Sequence, residues 1–173
     1  MSRARQIIGV GALICLGILA ACGQKVPTQQ ATTTNDVCAN DFQTCVMPVL
    51  SGQIKRRGGA IISCMDGNCH AAGGSGGRFT LGADVNANFL AAKSMTDLGN
   101  ADESLLLVEP TQDDVAPSAA AGTHGGGEIF PTKSDACYVA LRTWINNQVP
   151  NQSSANCGLC TPIANTFTSC GYP

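Results

Sequence analysis

The chain is poor in the side chains that most enzyme chemistry needs. It holds 2 histidines in 173 residues, and charged residues make up 13% of it. No nucleophile–base pair stands out and the carboxylates are scattered, so the chain does not read as an enzyme. Basic charge is equally thin. The formal net charge is −2, and Lys55-Arg56-Arg57 is a lone triplet that reads as a solvated loop. A nucleic-acid partner needs a clustered basic face, and the sequence has none. The glycine run Gly73, Gly74, Gly76 and Gly77 is not followed by Gly-Lys-Ser/Thr, which excludes a phosphate-binding loop. No βαβ pattern surrounds Cys157-Gly158-Leu159-Cys160, so that pair reads as part of a structural bridge and not as a redox motif.

Cysteine and glycine are what the chain has in quantity, with 10 and 20. So many cysteines suit an oxidising compartment. The N-terminus agrees. Arg3 and Arg5 precede an apolar run, Ile7 to Ala20, that is too short to favour a membrane span. The run ends in Leu19-Ala20-Ala21-Cys22, which resembles a bacterial lipoprotein lipobox. That resemblance implies a signal peptide over residues 1–21, cleavage before Cys22 and lipidation of its sulfur. The mature chain would be exported and lipid-anchored. Gly23 after the cysteine leans towards the periplasmic face of the outer membrane, or the cell surface, of a Gram-negative bacterium. Residues 22–36 are a polar tether of Thr, Gln and Asn that cannot pack a core. A single domain over 37–149 and a cysteine-rich tail over 150–173 account for the rest.

The domain reads as helical. Phe42, Cys45, Val46, Val49 and Leu50 recur at helical spacing, with Asp41 or Asp36 as cap and Pro48 ending or kinking the run. Val85 to Met95 is a short helix. Asp102 to Pro110 is another, with Asp102 as cap. The last helix starts at Ser134, carries Tyr138, Leu141, Trp144, Ile145 and Gln148 on one face, and stops at Pro150.

The chemistry concentrates in Cys64-Met65-Asp66-Gly67-Asn68-Cys69-His70. Two cysteines with a histidine directly after the second form a haem-attachment signature. In that reading Cys64 and Cys69 carry the thioethers and His70 is the proximal iron ligand. Four residues separate the cysteines where two are usual, and Asp66-Gly67-Asn68 supplies a turn that can absorb the difference. The glycine run that follows suits a backbone passing close to a flat cofactor, or a flexible loop. Arg78 is the nearest cation and could meet a haem propionate. The same four soft ligands, Cys64, Cys69, His70 and His124, could instead hold zinc or copper.

The order of features resembles a family of bacterial exported c-type cytochrome domains over about residues 40–148. The segments that carry it are Val46-Met47-Pro48-Val49-Leu50, the Cys64…Cys69-His70 run and the glycine-rich loop, then Glu103 to Pro110, His124 to Phe130, and Tyr138 to Ile145. The resemblance implies an all-α, compact cytochrome c-like fold with long loops. It also implies one haem c, electron transfer to other redox proteins, and a distal ligand in the loop before the last helix. His124, followed by three glycines, stands there; Met95 is the alternative.

Six cysteines remain for bridges: Cys38, Cys45, Cys137, Cys157, Cys160 and Cys170. If Cys38 and Cys45 share a helix, about 10 Å of rise separates them, beyond the roughly 7 Å reach of a disulfide. At least one bridge should therefore run from this region to Cys137–Cys170. A haem-free, disulfide-rich lipoprotein on a cytochrome-like scaffold is the alternative function.

Overall fold

The element order is β1 (Asp36–Val37), α1 (Ala39–Asp41), a π-helical segment (Phe42–Val46), α2 (Met47–Ser51), β2 (Ile54–Lys55), β3 (Ile61–Ile62), α3 (Val85–Lys93), α4 (Leu105–Val108), α5 (Ala136–Asn146), β4 (Gln148–Val149) and α6 (Thr166–Ser169). Single 3-10 turns, Ala101–Glu103 and Glu109–Thr111, flank α4. The computed structural model describes residues 35–111 and 124–173, which belong to one compact unit, Thr33–Pro173. The expected signal peptide, the lipidation site Cys22, nearly all of the tether and the loop 112–123 lie outside the described residues. Among the described residues, no helix is long and apolar enough to cross a membrane.

The first helical run is continuous from Ala39 to Ser51, but not uniform. Pro48 has no amide hydrogen and its ring needs room one turn back. The π segment makes that room just ahead of it: the Met47 amide reaches back to the Phe42 carbonyl. Pro48 therefore sits in the first turn of α2 and the helix runs on past it. The cap is Cys38, whose Sγ lies 3.3 Å from the Asp41 amide; Asp41 itself is buried within the first turn.

Phe42, Cys45, Val46, Val49 and Leu50 are all buried, and the π segment packs on α5. Helix α5 starts at Ala136, where Asp135 Oδ1 accepts from the amides of Cys137 (2.8 Å) and Tyr138 (3.2 Å). Trp144 is 2% exposed; its ring lies 5.6 Å from Phe42 and its Nε1 donates to the Cys38 carbonyl at 2.8 Å. Truncating a buried tryptophan of this kind costs about 3–5 kcal/mol. Asp102 does not cap a helix. The cap positions are Asn100 and Ser104, and Asp102 accepts from Tyr138 and Arg142 instead.

The fold is mixed α/β and disulfide-rich, not all-α: about 37% of the described residues are helical and 9% lie in strands or bridges. Strand β1 pairs antiparallel with β4 (Asp36↔Val149, Val37↔Gln148), and β2 with β3 (Ile54↔Ile62, Lys55↔Ile61). Gln148 leaves the helical stripe because Asn147 turns out of helical geometry, with ψ 64°. The β2–β3 hairpin closes through Gly58 and Gly59, both at φ +86°, a conformation open to glycine without strain. Strands of two residues are too short for alternation to show in the sequence.

Three disulfides brace this frame: Cys38–Cys157, Cys45–Cys160 and Cys137–Cys170, with Cα–Cα distances of 5.4, 6.3 and 5.5 Å. Cys38 and Cys45 are not joined to each other; each runs to the tail. Cys64 and Cys69 are free.

Candidate functional site

The segment from Ser63 to Leu81 builds one wall of a pocket. Asp66 organises it: Oδ2 accepts from the Ser63 amide at 2.8 Å, and its carbonyl accepts from the Cys69 amide at 2.8 Å. The His70 amide donates to the Cys64 carbonyl at 3.0 Å, which closes the four-residue spacer into a compact loop. Both cysteines and the histidine thus reach the same cavity. The glycine-rich stretch folds back over His70. A Cβ on Gly76 would collide with the imidazole Nδ1 of His70, so only glycine lets the backbone lie that close.

The pocket has a volume of about 470 Å³, within the range of ligand cavities. Its walls are mainly apolar, with Leu50, Phe79, Leu106, Ile129, Phe130 and Leu141 among them. Cys64, Cys69, His70, Arg78, Met95 and His124 all line it. Tyr138, Trp144, Met47 and Met65 are not among its lining residues. Tyr138 approaches only through Phe130, ring to ring at 6.3 Å.

The two histidines are arranged alike. His70 Nδ1 donates to the Phe79 carbonyl at 2.7 Å, and His124 Nδ1 donates to the Gly127 carbonyl at 2.9 Å. A carbonyl can only accept, so Nδ1 carries a proton in each ring, and in a neutral ring Nε2 is then the nitrogen that offers a lone pair. Their rings are 18° from parallel with centroids 6.1 Å apart. Burial lowers the pKa of His70. The neutral form of His70 is therefore the one present near neutrality.

The thiols sit in a similar environment. Burial, and then the neighbouring Cys69, push Cys64 up to about 12. Burial and Asp66 also raise Cys69. Both are protonated at neutral pH and are poor spontaneous nucleophiles.

A closed tetrahedral zinc or copper site is not assembled from Cys64, Cys69, His70 and His124. Among the described residues, the only trio of such ligand atoms within 4.8 Å of one another is Asp135, Cys137 and Cys170. There the two sulfurs are bridged, and Asp135 accepts from the amides of Cys137, Tyr138 and Gly171.

Two features of the site went unread in the sequence. Gly126 backs His124 as Gly76 backs His70: a Cβ there would lie 2.9 Å from the ring Cε1. The basic triplet is no solvated loop. Lys55 is in β2, Arg56 Nη1 donates to the Gly126 carbonyl at 3.2 Å, and the Arg57 amide donates to the Glu128 carbonyl at 2.9 Å. The signal was there in two isoleucine-bearing runs separated by Arg56-Arg57-Gly58-Gly59-Ala60, a hairpin pattern with glycine in its loop.

No protein-family model, curated protein or solved structure matches this chain.

Proposed function

We propose that the protein is an exported, lipid-anchored electron-transfer protein carrying one covalently attached haem c. The observation that carries this reading is the pair of near-parallel imidazoles, 6.1 Å apart in an apolar pocket beside two unbridged cysteines. When loaded, Cys64 and Cys69 would carry the thioethers, His70 would be the proximal ligand and His124 the distal one. Haem supplies one-electron chemistry at its iron when bound. The chain's own residues do the rest. The Phe79 and Gly127 carbonyls hold both imidazoles in the tautomer that leaves Nε2 free, as second-shell partners of metal ligands do. Leu50, Leu106, Ile129 and Phe130 keep water from the cavity and lower its dielectric. Arg78 offers its charge to a propionate. Two imidazoles favour a lower potential than a histidine–methionine pair, which Met95 would provide from the same cavity. Lipid on Cys22 keeps the domain at the membrane, and its partners are other redox proteins.

Expression of the full chain with a haem-maturation system tests this. A Soret band that survives acid–acetone extraction, and an intact mass raised by one haem, are the expected results. His124→Ala should turn low-spin iron high-spin and open it to carbon monoxide. A protein that matures with Cys64 and Cys69 linked to each other, and no haem, is instead a disulfide-rich lipoprotein of structural or binding role. An unchanged spectrum in His124→Ala would move the distal role to Met95.

A further inference from the structure

We propose that the β2–β3 hairpin is a strap that positions His124, with Arg56 as its working residue. This rests on the bis-histidine reading above and adds an element to it. Among the described residues, the stretch 124–130 that carries His124 lies outside any helix or strand. Its turn is closed by the Gly127 amide donating to the His124 carbonyl at 2.7 Å. Beyond it, the Ile129 and Phe130 amides both donate to the Pro110 carbonyl, at 2.7 and 3.1 Å. Between those two anchors lies the stretch on which the imidazole depends, and the hairpin holds it. Arg56 Nη1 donates to the Gly126 carbonyl, and the Arg57 amide to the Glu128 carbonyl. The Arg57 and Glu128 side chains pair at 3.3 Å.

Gly126 is the residue whose backbone lies against the His124 ring, so the group that fixes Gly126 also fixes the ring. Gly127, whose carbonyl orients Nδ1, is the next residue. The strap is itself well founded. Ile54 is 1% exposed, the Tyr172 amide donates to the Lys55 carbonyl at 2.8 Å, and Cys170 just before is bridged to Cys137 of α5. A line of backbone bonds and one covalent bridge thus joins the central helix to the distal imidazole. Arg56 is half-buried; the charge-assisted bond it gives is of the stronger kind. The Arg57–Glu128 side-chain pair is exposed, 58% on the arginine, and should matter little.

The test uses the full chain in two states, with Arg56→Gln, Arg56→Lys and Arg57→Gln. In the haem-loaded protein the readouts are the low-spin fraction and the rate of carbon monoxide binding to ferrous iron. In the haem-free protein it is hydrogen exchange at the Gly127 amide, with the amides of α5 as internal reference. Arg56→Gln should raise both rates about ten-fold or more, since it gives up the charge-assisted bond to Gly126. Arg56→Lys should restore most of the effect, and Arg57→Gln should change either rate less than about two-fold. Parent-like rates in Arg56→Gln overturn the proposal. So does an equal effect from Arg57→Gln, which would make hairpin charge the cause. Faster exchange with unchanged carbon monoxide binding also overturns it, because the hairpin would then order the loop without setting the ligand. A chain that takes up no haem defeats the functional reading, while the exchange arm still decides whether Arg56 holds the loop.

Discussion

The molecule has two sides that treat cysteine in opposite ways. On one, six cysteines form three bridges that tie Cys38, the π segment and α5 to the tail. On the other, Cys64 and Cys69 lie five positions apart and stay free. The braced side also holds the aromatic core of Phe42, Phe89 and Trp144. The free side is built from glycine-bearing loops, turns and two histidines. The difference separates tasks. Covalent bonds and packed rings hold the frame, whereas backbone turns aim the reactive groups. In an oxidising compartment every cysteine is eligible to pair. Cys64 and Cys69 are the two unbridged cysteines among the described residues, and on the proposed reading they are the ones that would hold haem.

The largest expected effect comes from unbracing the frame. Cys38–Cys157 and Cys45–Cys160 span nearly the same stretch, with sequence separations of 119 and 115 residues, so while one stands the other closes only a short further loop, for which the chain-entropy model gives about 2–3 kcal/mol. The Cys38→Ala, Cys157→Ala double variant should lose stability of that order in urea unfolding. Removing Cys45–Cys160 as well should cost more, about 4–5 kcal/mol, since that bridge is then the one left to close the long loop, with a sequence separation of 115 residues. Haem uptake in the protein that still folds should be little changed. A loss confined to the pocket, with unfolding unaltered, would break the proposed separation of tasks.

The second effect is chemical. With its pKa up to about 12, Cys64 holds far less thiolate at pH 8 than a free cysteine. Alkylation of the haem-free protein should be slower at Cys64 by on the order of 1,000-fold. Cys69 is raised too and should also be slow. The sign follows from burial favouring the neutral thiol: the rate should keep climbing above the pH where free cysteine levels off. Mass spectrometry of alkylation against pH reads both sites. Free-cysteine rates at Cys64 would mean the pocket does not shield it.

The glycines behind the histidines probe the pocket without touching the frame. Alanine at Gly76 meets the His70 ring and the Cys69 carbonyl, and the carbonyl cannot swing away. Gly76→Ala should cost about 1–3 kcal/mol as overpacking. At Gly126 the added carbon meets only the His124 ring, at 2.9 Å and beyond. Gly126→Ala should cost under about 1.5 kcal/mol, yet still shift the iron spectrum. Equal stability losses, or a spectrum that ignores Gly126→Ala, would show that the two glycines do not play paired roles.

The frame was more legible than its details. Helical stripes read directly because Phe42 to Leu50 and Tyr138 to Ile145 bury one face of each helix, and burial is what periodicity reports. The six bridging cysteines could be sorted by elimination and by helix rise. The strands could not be read, since two residues carry no period, and their pairing is decided by distant partners such as Val149 and Gly171. The π segment was hidden because Pro48 can end a helix or be accommodated, and the local sequence does not say which. At the site, the Cys64-to-His70 run was legible because its chemistry is local. The parts that hold His124 come from residues about 70 positions away, Arg56 and Arg57, and no local pattern announces such a contact.

The smallest effect lies on the seam between the two sides. Tyr138 belongs to α5, and its ring meets Phe130 of the pocket wall. Its hydroxyl donates to Asp102 Oδ1 at 2.8 Å, a carboxylate that also accepts from Arg142 Nε and Nη2 at 2.9 and 3.0 Å. Arg142, and then Tyr138, hold Asp102 below the usual carboxylate range. Its contribution to stability is therefore present above the ordinary carboxylate pKa and fades as pH falls through the lowered one. Asp102→Asn should remove that acid limb and little else, because the group is half-buried at most and screened by solvent. Tyr138 reports the same change from the other end. Burial first, and the bond to Asp102 second, push it up to about 12. In a Tyr172→Phe background Tyr138 is the sole tyrosine, and its ultraviolet titration can be followed alone. Asp102→Asn should move it down only part of the way towards the ordinary value near 10, since burial remains. The haem spectrum should not move. A full return to the ordinary value would make charge rather than burial the governing force at this position. A shifted haem spectrum would show that the seam is a second route, beside the hairpin, by which the frame acts on the pocket.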